Sequence, residues 1–262
     1  MDTALRFPST GPDLEQIRRN PYTPAPHLVN NGGKILDHPT FISIYYGQYW
    51  NGAKGKAEAS YLDSFGDFLV HSPHMATWAE YGVKSANYGG SSLVRGSGAR
   101  TIGEEEIRQI VAAEIQNKAV ISPDGQTVYT VYLPPGTELR ASDGTSSYDG
   151  MGGYHGSYVD KFGTPVYYAA IVYSHGENGV QFSAQARDNI TIASSHEWTE
   201  AATDPDVNRD EPGWYDNRYG EIGDIPISMG LPSNQIWGRM GGYAVQKEWS
   251  NKDHVAELVP KK

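Results

Sequence analysis

One histidine and two glutamates stand close together in the run Ser195-His196-Glu197-Trp198-Thr199-Glu200. His196 and Glu200 are four residues apart, so on a helix their side chains lie on one face, one turn from each other. A helix with this spacing can offer two ligands to one cation. Glu197 lies beside them, where it could take a proton from a water on the cation, as in the His-Glu-x-x-His pattern of zinc peptidases. The sequence therefore predicts a divalent-metal site on one helix, with a glutamate in place of the second histidine.

The surroundings of this motif strengthen a signal that is weak alone, because charged residues at this spacing are common on solvated helix faces. The helix is otherwise small or apolar, which predicts that it is buried, and no Lys or Arg occurs between Arg187 and Arg209. Unpaired buried carboxylates are costly, so a cation is expected. We predict that a downstream acidic segment supplies a third ligand, with Asp224 as the first choice and Glu221 as the second. The residue of this pair that does not bind the ion should orient a ligand through a hydrogen bond.

A further histidine, His155, occurs in the glycine-rich run Gly152-Gly153-Tyr154-His155-Gly156. This run predicts a flexible loop. His155 could stabilise an oxyanion or serve as a further metal ligand, and a loop histidine without a chemical role is the alternative.

A calcium loop is a competing interpretation of the residues that follow the helix. Four polar residues alternate there as at the start of such a loop, but the expected glycine is Arg209 and the expected glutamate is Tyr215. The pattern favours a polar turn that ends the helix. The four residues are Asp204, Asp206, Asn208 and Asp210.

The metal itself is constrained by composition. The chain has no Cys, so only histidines and carboxylates can hold an ion. Two carboxylates and one neutral histidine cancel the charge of a divalent ion, and their oxygens suit Mn²⁺ or Ca²⁺ as well as Zn²⁺. Zinc is the first choice because Glu197 is placed where a catalytic base would be.

Composition also limits the partners. The chain of 262 residues has a formal net charge of -10 and a pI near 5.2, so a nucleic-acid backbone would be repelled. No run approaches the roughly 20 apolar residues of a membrane span. The first residues lack the layout of a secretory signal, so either the protein stays inside the cell or a leader was removed before this numbering begins.

Several elements that must position the motif are predicted from the spacing of apolar residues and from the Gly, Pro and capping residues between them. Residues 1–35 are rich in Pro, Asn and Gly and predict an extended arm, followed by a single domain over residues 36–262. Asp188 or Asn189 should cap the metal-site helix of residues 188–203, and Asp204-Pro205 should end it. The whole predicts one α/β (α+β) domain of zincin-like type, a mixed sheet with packed helices. Strands are expected at residues 41–46, 127–133, 166–173 and 243–246, and helices at residues 58–71 and from residue 104.

Several short motifs recur in one order along the chain. They are Asn31-Gly32-Gly33, the strand from Phe41 to Tyr46 with Gly47 and Trp50, Gly153-Tyr154-His155, the run from Ser195 to Asn208, Gly213-Trp214-Tyr215, Glu221-Ile222-Gly223-Asp224, and Tyr243-Ala244-Val245-Gln246 with Trp249. Together they resemble the plant EXORDIUM, or phosphate-induced, protein family and its bacterial relatives. The likeness covers about residues 30 to 250 and implies a secreted, extracellular location with a link to growth signalling. It does not imply a biochemical activity. The family carries several cysteines that this chain lacks, so its disulfides cannot be carried over.

Two functions follow as hypotheses. The leading one is a secreted metallopeptidase that acts on a peptide or protein substrate. In it His196, Glu200 and Asp224 or Glu221 hold zinc, and Glu197 is the general base. The rival is a non-catalytic extracellular binding or signalling protein in which the same residues hold a structural ion.

Overall fold

A five-stranded mixed sheet forms the centre of the computed structural model, which describes residues 24–96, 99–209 and 212–261. The strands in chain order are β1 (Val29–Asn30), β2 (Thr40–Tyr46), β3 (Asn87–Val94), β4 (Thr101–Gly103), β5 (Thr127–Tyr132), β6 (Glu138–Arg140), β7 (Gly153–Val159), β8 (Pro165–Ile171), β9 (Trp214–Tyr215), β10 (Trp237–Met240), β11 (Tyr243–Gln246), β12 (Glu248–Ser250) and β13 (Val255–Glu257). The central sheet has the order β3-β2-β5-β8-β7. Its first four strands are parallel, and β7 runs antiparallel to β8 at one edge.

Helices cover both faces of this sheet. They are α1 (Ala53–His71), α2 (Met75–Glu80), α3 (Glu104–Gln116), α4 (Ala186–Thr203), α5 (Asp224–Ser228) and α6 (Ser233–Ile236). Successive strand residues point to opposite faces: Ile42 and Ile44 pack in the layer of α3, whereas Phe41 and Tyr45 pack in the layers of α1 and α4. Because both faces are covered, the central strands are buried along almost their whole length, and most of their residues are apolar on both faces. None of the helices in the described ranges is long and apolar enough to cross a membrane.

Most of the predicted elements and the mixed α/β fold class are confirmed. The strands expected at residues 41–46, 127–133, 166–173 and 243–246 correspond to β2, β5, β8 and β11, with ends that differ by two residues at most. Helix α3 begins at Glu104 as predicted, and α1 begins at Ala53, five residues before the expected start. Long apolar runs with clear ends were thus sufficient to locate these elements.

The predicted start of the metal-site helix is wrong. Helix α4 begins at Ala186, and its N-cap is Gln185, which makes no side-chain capping bond. Asn189 instead accepts a hydrogen bond from the Ser183 backbone at 2.8 Å, and Asp188 pairs with Arg239 at 2.5 Å. Both side chains thus tie other segments to the first turn rather than capping it. The end is as expected, since α4 stops at Thr203 before Asp204-Pro205.

The predicted loop around His155 is also wrong, because Gly153–Val159 is the edge strand β7. A Cβ at Gly153 would lie 3.0 Å from Glu197 Oε1 and 2.7 Å from the Ala170 carbonyl oxygen. This glycine permits a close approach of strand and helix and does not mark a turn. The outer edge of β7 is bonded by Asn208, whose side chain accepts from Ser157 N at 2.9 Å and donates to Ser157 O at 3.0 Å.

The predicted N-terminal arm lies largely outside the described residues. Within them, Leu28 is buried and β1 pairs with β9. Asn31 N donates to the Gly213 carbonyl at 2.8 Å. Residues 28–31 therefore pack on the segment that follows α4.

Trp198 attaches α4 to the sheet. Its ring is buried and stacks on Phe41, with centroids 4.4 Å apart and planes 10° from parallel. Its Nε1 donates to Thr130 Oγ1 at 2.8 Å, so the polar atom of the ring is also satisfied. This single side chain fixes both the depth and the rotation of the helix that carries the predicted ligands.

Trp198→Ala should therefore lower the free energy of unfolding by about 3–5 kcal/mol, through lost burial and an unfilled cavity. Urea unfolding in the presence of a chelator measures this without a contribution from bound metal. Phe162→Ala is the control, because Phe162 is 80 % exposed and its removal should cost less than about 0.5 kcal/mol. Equal effects of the two substitutions would contradict the anchoring role of Trp198.

Candidate metal centre

Helix α4 is buried along almost its whole length, from Asp188 to Thr203. Its hydroxyl side chains are satisfied inside the helix, because each donates to a backbone carbonyl three or four residues earlier. The donors are Thr191 to Asp188 at 3.1 Å, Ser194 to Ile190 at 2.7 Å, Ser195 to Ile192 at 2.9 Å, Thr199 to Ser195 at 2.7 Å and Thr203 to Thr199 at 3.0 Å. The ionisable side chains of the same helix cannot be satisfied in this way.

Three of these ionisable side chains leave buried polar atoms without a hydrogen-bond partner among the described residues. The atoms are both ring nitrogens of His196, Oε1 of Glu197 and Oε2 of Glu200. His196 Nε2 and Glu200 Oε2 are only 3.0 Å apart, yet they are not aligned as a hydrogen bond. Two atoms this close that do not point at each other are arranged like neighbouring ligands of one ion. Buried polar atoms are normally paired, so these need a common partner.

A first group of possible ligands is formed by His196, Glu200 and Asp224, whose ligand atoms lie within 4.8 Å of one another. His196 Nε2 is 3.0 Å from Glu200 Oε2 and 3.8 Å from Asp224 Oδ1. Two ligand atoms that are each about 2.1 Å from an ion are about 3.0 Å apart at right angles and about 3.4 Å apart in a tetrahedron. The first distance matches this range, and the second needs only a small movement of Asp224.

Gly223 brings Asp224 against the helix. Its backbone N–H donates to Glu200 Oε1 at 3.2 Å, which fixes that carboxylate and leaves Oε2 directed at His196. A Cβ at Gly223 would lie 2.4 Å from His196 Nδ1, so no larger residue fits. Gln246 holds the segment from the other side, because its Nε2 donates to the Gly223 carbonyl at 2.6 Å.

A second group of possible ligands is formed by His155, Glu197 and Glu200, and this buried group could also hold a metal ion. His155 Nδ1 lies 3.4 Å from Glu197 Oε2 and 3.8 Å from Glu200 Oε2. On the other side of the ring, Nε2 lies 3.1 Å from the Asp204 carbonyl and 3.5 Å from Glu221 Oε1. Both nitrogens are thus engaged, which favours a ligand or a proton partner of Glu197 over an oxyanion donor.

The electrostatics of the centre are strongly acidic. Burial raises the pKa of Glu200 well above its usual range, and the neighbouring Asp224 and Glu197 charges add to this. Burial likewise raises the pKa of Asp224 to about 6. Among the described residues, no Lys or Arg forms an ion pair with these carboxylates. A cation would relieve both the desolvation and the repulsion.

The same negative charges favour the protonated form of His155. Burial lowers the pKa of His155, but the Glu221 and Glu197 carboxylates outweigh this and raise it to about 9. A metal ion that binds a ring nitrogen of His155 would therefore have to displace a proton.

All six side chains predicted from the sequence come together in this centre: His155, His196, Glu197, Glu200, Glu221 and Asp224. Three groups were not predicted. Asp204 contributes its carbonyl to His155 Nε2, Glu248 is buried against Thr199 at 3.4 Å, and Tyr215 is half-buried and feels the charges of Glu221, Asp224 and Glu200. The resemblance contained Tyr215, in the Trp214-Tyr215 step, and Asp204, in the run from Ser195 to Asn208, but Glu248 had no sequence signal.

The alternating polar residues after the helix bond to the protein itself. Asp204 Oδ1 accepts from Gly213 N at 2.6 Å, and Asp206 Oδ1 accepts from Ser157 Oγ at 2.6 Å. Asn208 bonds the backbone of β7, as described above, and Asp210 lies outside the described residues. These bonds agree with a polar turn that ends the helix.

Comparison of the chain with models of protein families finds no match, and neither does comparison with curated proteins.

Gly223→Ala should lower divalent-metal affinity at least about tenfold, because the new Cβ would displace either His196 or the segment that carries Asp224. Isothermal titration of the chelator-treated protein with Zn²⁺ measures the change. Gly52→Ala is the matched control, since φ there is -75° and the nearest atom, Tyr49 O, is 3.4 Å from the added Cβ. An unchanged affinity in the Gly223 variant would contradict the close approach.

Asp224→Ala and Glu221→Ala should weaken metal binding unequally. Asp224 belongs to the first ligand group, whereas Glu221 Oε1 lies 3.5 Å from the far nitrogen of His155. We expect about a 10–100-fold loss for Glu221→Ala, as for residues that orient a ligand, and a larger loss for Asp224→Ala. Equal losses, or none in either variant, would remove this segment from the assignment.

Proposed function

We propose that the protein is a metal-dependent hydrolase that cleaves peptide bonds, with zinc as the favoured ion. One observation carries the proposal: a three-residue ligand set, His196, Glu200 and Asp224, lies beside a buried carboxylate, Glu197, that has one oxygen without a partner. A ligand set accompanied by an uncommitted acid is the arrangement that metal-assisted hydrolysis requires.

A zinc ion held by His196, Glu200 and Asp224 alone would have a fourth coordination position for a small molecule, as in catalytic zinc sites. A divalent ion held there would polarise a substrate carbonyl and lower the pKa of a water molecule. The side chains around the ion would transfer the proton and donate a hydrogen bond to the substrate.

Glu197 is suited to accept the proton. It follows His196 in the helix, so its side chain points about 100° away from the histidine around the helix axis. Its Oε2 is directed at His155 Nδ1, 3.4 Å away, while Oε1 remains uncommitted. His155 is held in turn by the Asp204 carbonyl, at 3.1 Å from Nε2. His155 thus positions the carboxylate.

Tyr215 is a candidate donor to the substrate carbonyl. Burial, followed by the charges of Glu221 and Asp224, raises the pKa of this hydroxyl to about 12, so it keeps its proton at neutral pH. Asp224 is also the exposed member of the centre, with 16 % of its side chain accessible, whereas His155, His196 and Glu200 are fully buried. Substrate would approach from the side of Asp224 and Tyr215.

The burial of the centre favours one second candidate, a non-catalytic extracellular binding or signalling protein that holds a structural ion. Closed sites of this kind have no position for a substrate. The resemblance to the EXORDIUM family supports a secreted location for either candidate. The uncommitted Oε1 of Glu197 favours the enzyme, because a structural site has no use for a buried carboxylate oxygen that binds nothing.

Glu197→Gln tests the hydrolase directly. The substitution keeps size but removes the proton acceptor, so cleavage should fall by roughly 10²–10⁴-fold, while the ion at His196, Glu200 and Asp224 is retained. Digestion of a peptide library, read by mass spectrometry, measures cleavage, and elemental analysis measures the metal. Glu114→Gln is the matched control, because Glu114 is a buried acid on α3 that belongs to neither ligand group.

Two results would redirect the proposal. If the wild-type protein cleaves no peptide that the Glu197 variant leaves intact, with Zn²⁺, Mn²⁺ or Ca²⁺ and across several pH values, the binding protein becomes the better candidate. If His196→Ala retains all of the bound metal, the ligand set itself is wrong.

A further inference from the structure

We propose that the centre holds two divalent ions, the second bound by His155, Glu197 and Glu200, with Glu200 shared between them. The inference rests on the metal centre of the proposed function and adds a site to it. It also gives His155, which comes from the edge strand and not from the helix, a specific role as a metal ligand.

Helical geometry explains why Glu200 is the shared residue. His196 precedes it by four residues and Glu197 by three, so the two side chains lie about 40° and about 60° to either side of it around the helix axis. Glu200 Oε2 is accordingly 3.0 Å from His196 Nε2 and 3.8 Å from His155 Nδ1. The same oxygen faces both groups, and it has no hydrogen-bond partner among the described residues.

The tautomer of His155 makes its second nitrogen available. Nε2 lies 3.1 Å from the Asp204 carbonyl oxygen, which can only accept, so we assign the ring proton to Nε2. The lone pair of a neutral ring then lies on Nδ1 and points at two carboxylate oxygens, from Glu197 and Glu200. A lone pair directed at two anions is repulsive unless a cation or a proton lies between them.

Distance favours a metal ion over a proton. A charge-assisted N–H···O bond between imidazolium and carboxylate is about 2.7–2.9 Å long. His155 Nδ1 is 3.4 Å from the nearer oxygen, Glu197 Oε2. About 3.4 Å is the separation of two tetrahedral ligands that share one ion at about 2.1 Å.

Charge also favours a second cation. Among the described residues, no Lys or Arg forms an ion pair with Glu197, Glu200 or Asp224. If these three carboxylates are ionised, one divalent ion leaves one negative charge, which a second ion would neutralise. Ions in two-metal sites are about 3.5–4 Å apart, a distance that one shared carboxylate can bridge.

Ion stoichiometry tests the inference without using activity. Chelator-treated protein is titrated with Mn²⁺, the bound ions are counted, and electron paramagnetic resonance records whether two ions are exchange-coupled through a shared ligand. The wild-type protein should bind two coupled ions. His155→Ala and the isosteric Glu197→Gln should each bind one uncoupled ion at the same Mn²⁺ concentration, with affinity for the second lowered at least about tenfold.

The control is His71→Ala, which removes an exposed histidine on α1 and should leave two coupled ions. Circular dichroism checks that each variant is folded, and Glu197→Gln decides the result if His155→Ala is not. One ion at saturation in the wild-type protein, or two ions without coupling, would overturn the inference. Two coupled ions without peptide cleavage would uphold the two-ion centre and remove the hydrolase, whereas cleavage with a single ion would do the reverse.

Discussion

A helix that carries ionisable side chains can be buried only if each charge meets an opposite charge or a hydrogen-bond donor. Helix α4 sets this requirement for the molecule, because it is buried from Asp188 to Thr203 and carries His196, Glu197 and Glu200 along one side. The edge strand supplies His155, and the segment before α5 supplies Asp224 and the N–H of Gly223. Even with these partners the centre retains an excess of negative charge. The surrounding elements thus bring together side chains that could hold a cation.

Local sequence predicted the part of this centre that depends on one helix. The spacing of His196 and Glu200 fixes a shared face whatever the rest of the chain does, and the absence of Lys and Arg nearby indicated that the charges needed a partner. The order of the chain then pointed to Asp224. These inferences use only short-range geometry and charge, which a single sequence contains.

The remainder depended on contacts between distant segments. Gly153 has the composition of a loop but lies in a strand, because its missing side chain makes room for Glu197. Asp188 and Asn189 have the composition of helix caps but bond Arg239 and Ser183. Glu248 comes from a strand close to the C-terminus, with no local pattern that relates it to the helix. For Gly153, Asp188 and Asn189, tertiary packing outweighed the local preference, whereas for Glu248 there was no local preference to use.

The hydrogen bonds of Asn208 to the edge strand β7 affect whether another chain can pair with that strand. A free sheet edge is a template on which a second chain can pair, either as a ligand or as the start of an aggregate. At Ser157 the amide of Asn208 already occupies the donor and acceptor that such a chain would use. Strand addition at this position is therefore excluded while the turn after α4 stays in place. The same turn carries the Asp204 carbonyl that orients His155, so protection of the sheet from self-association and alignment of the buried histidine depend on one short segment.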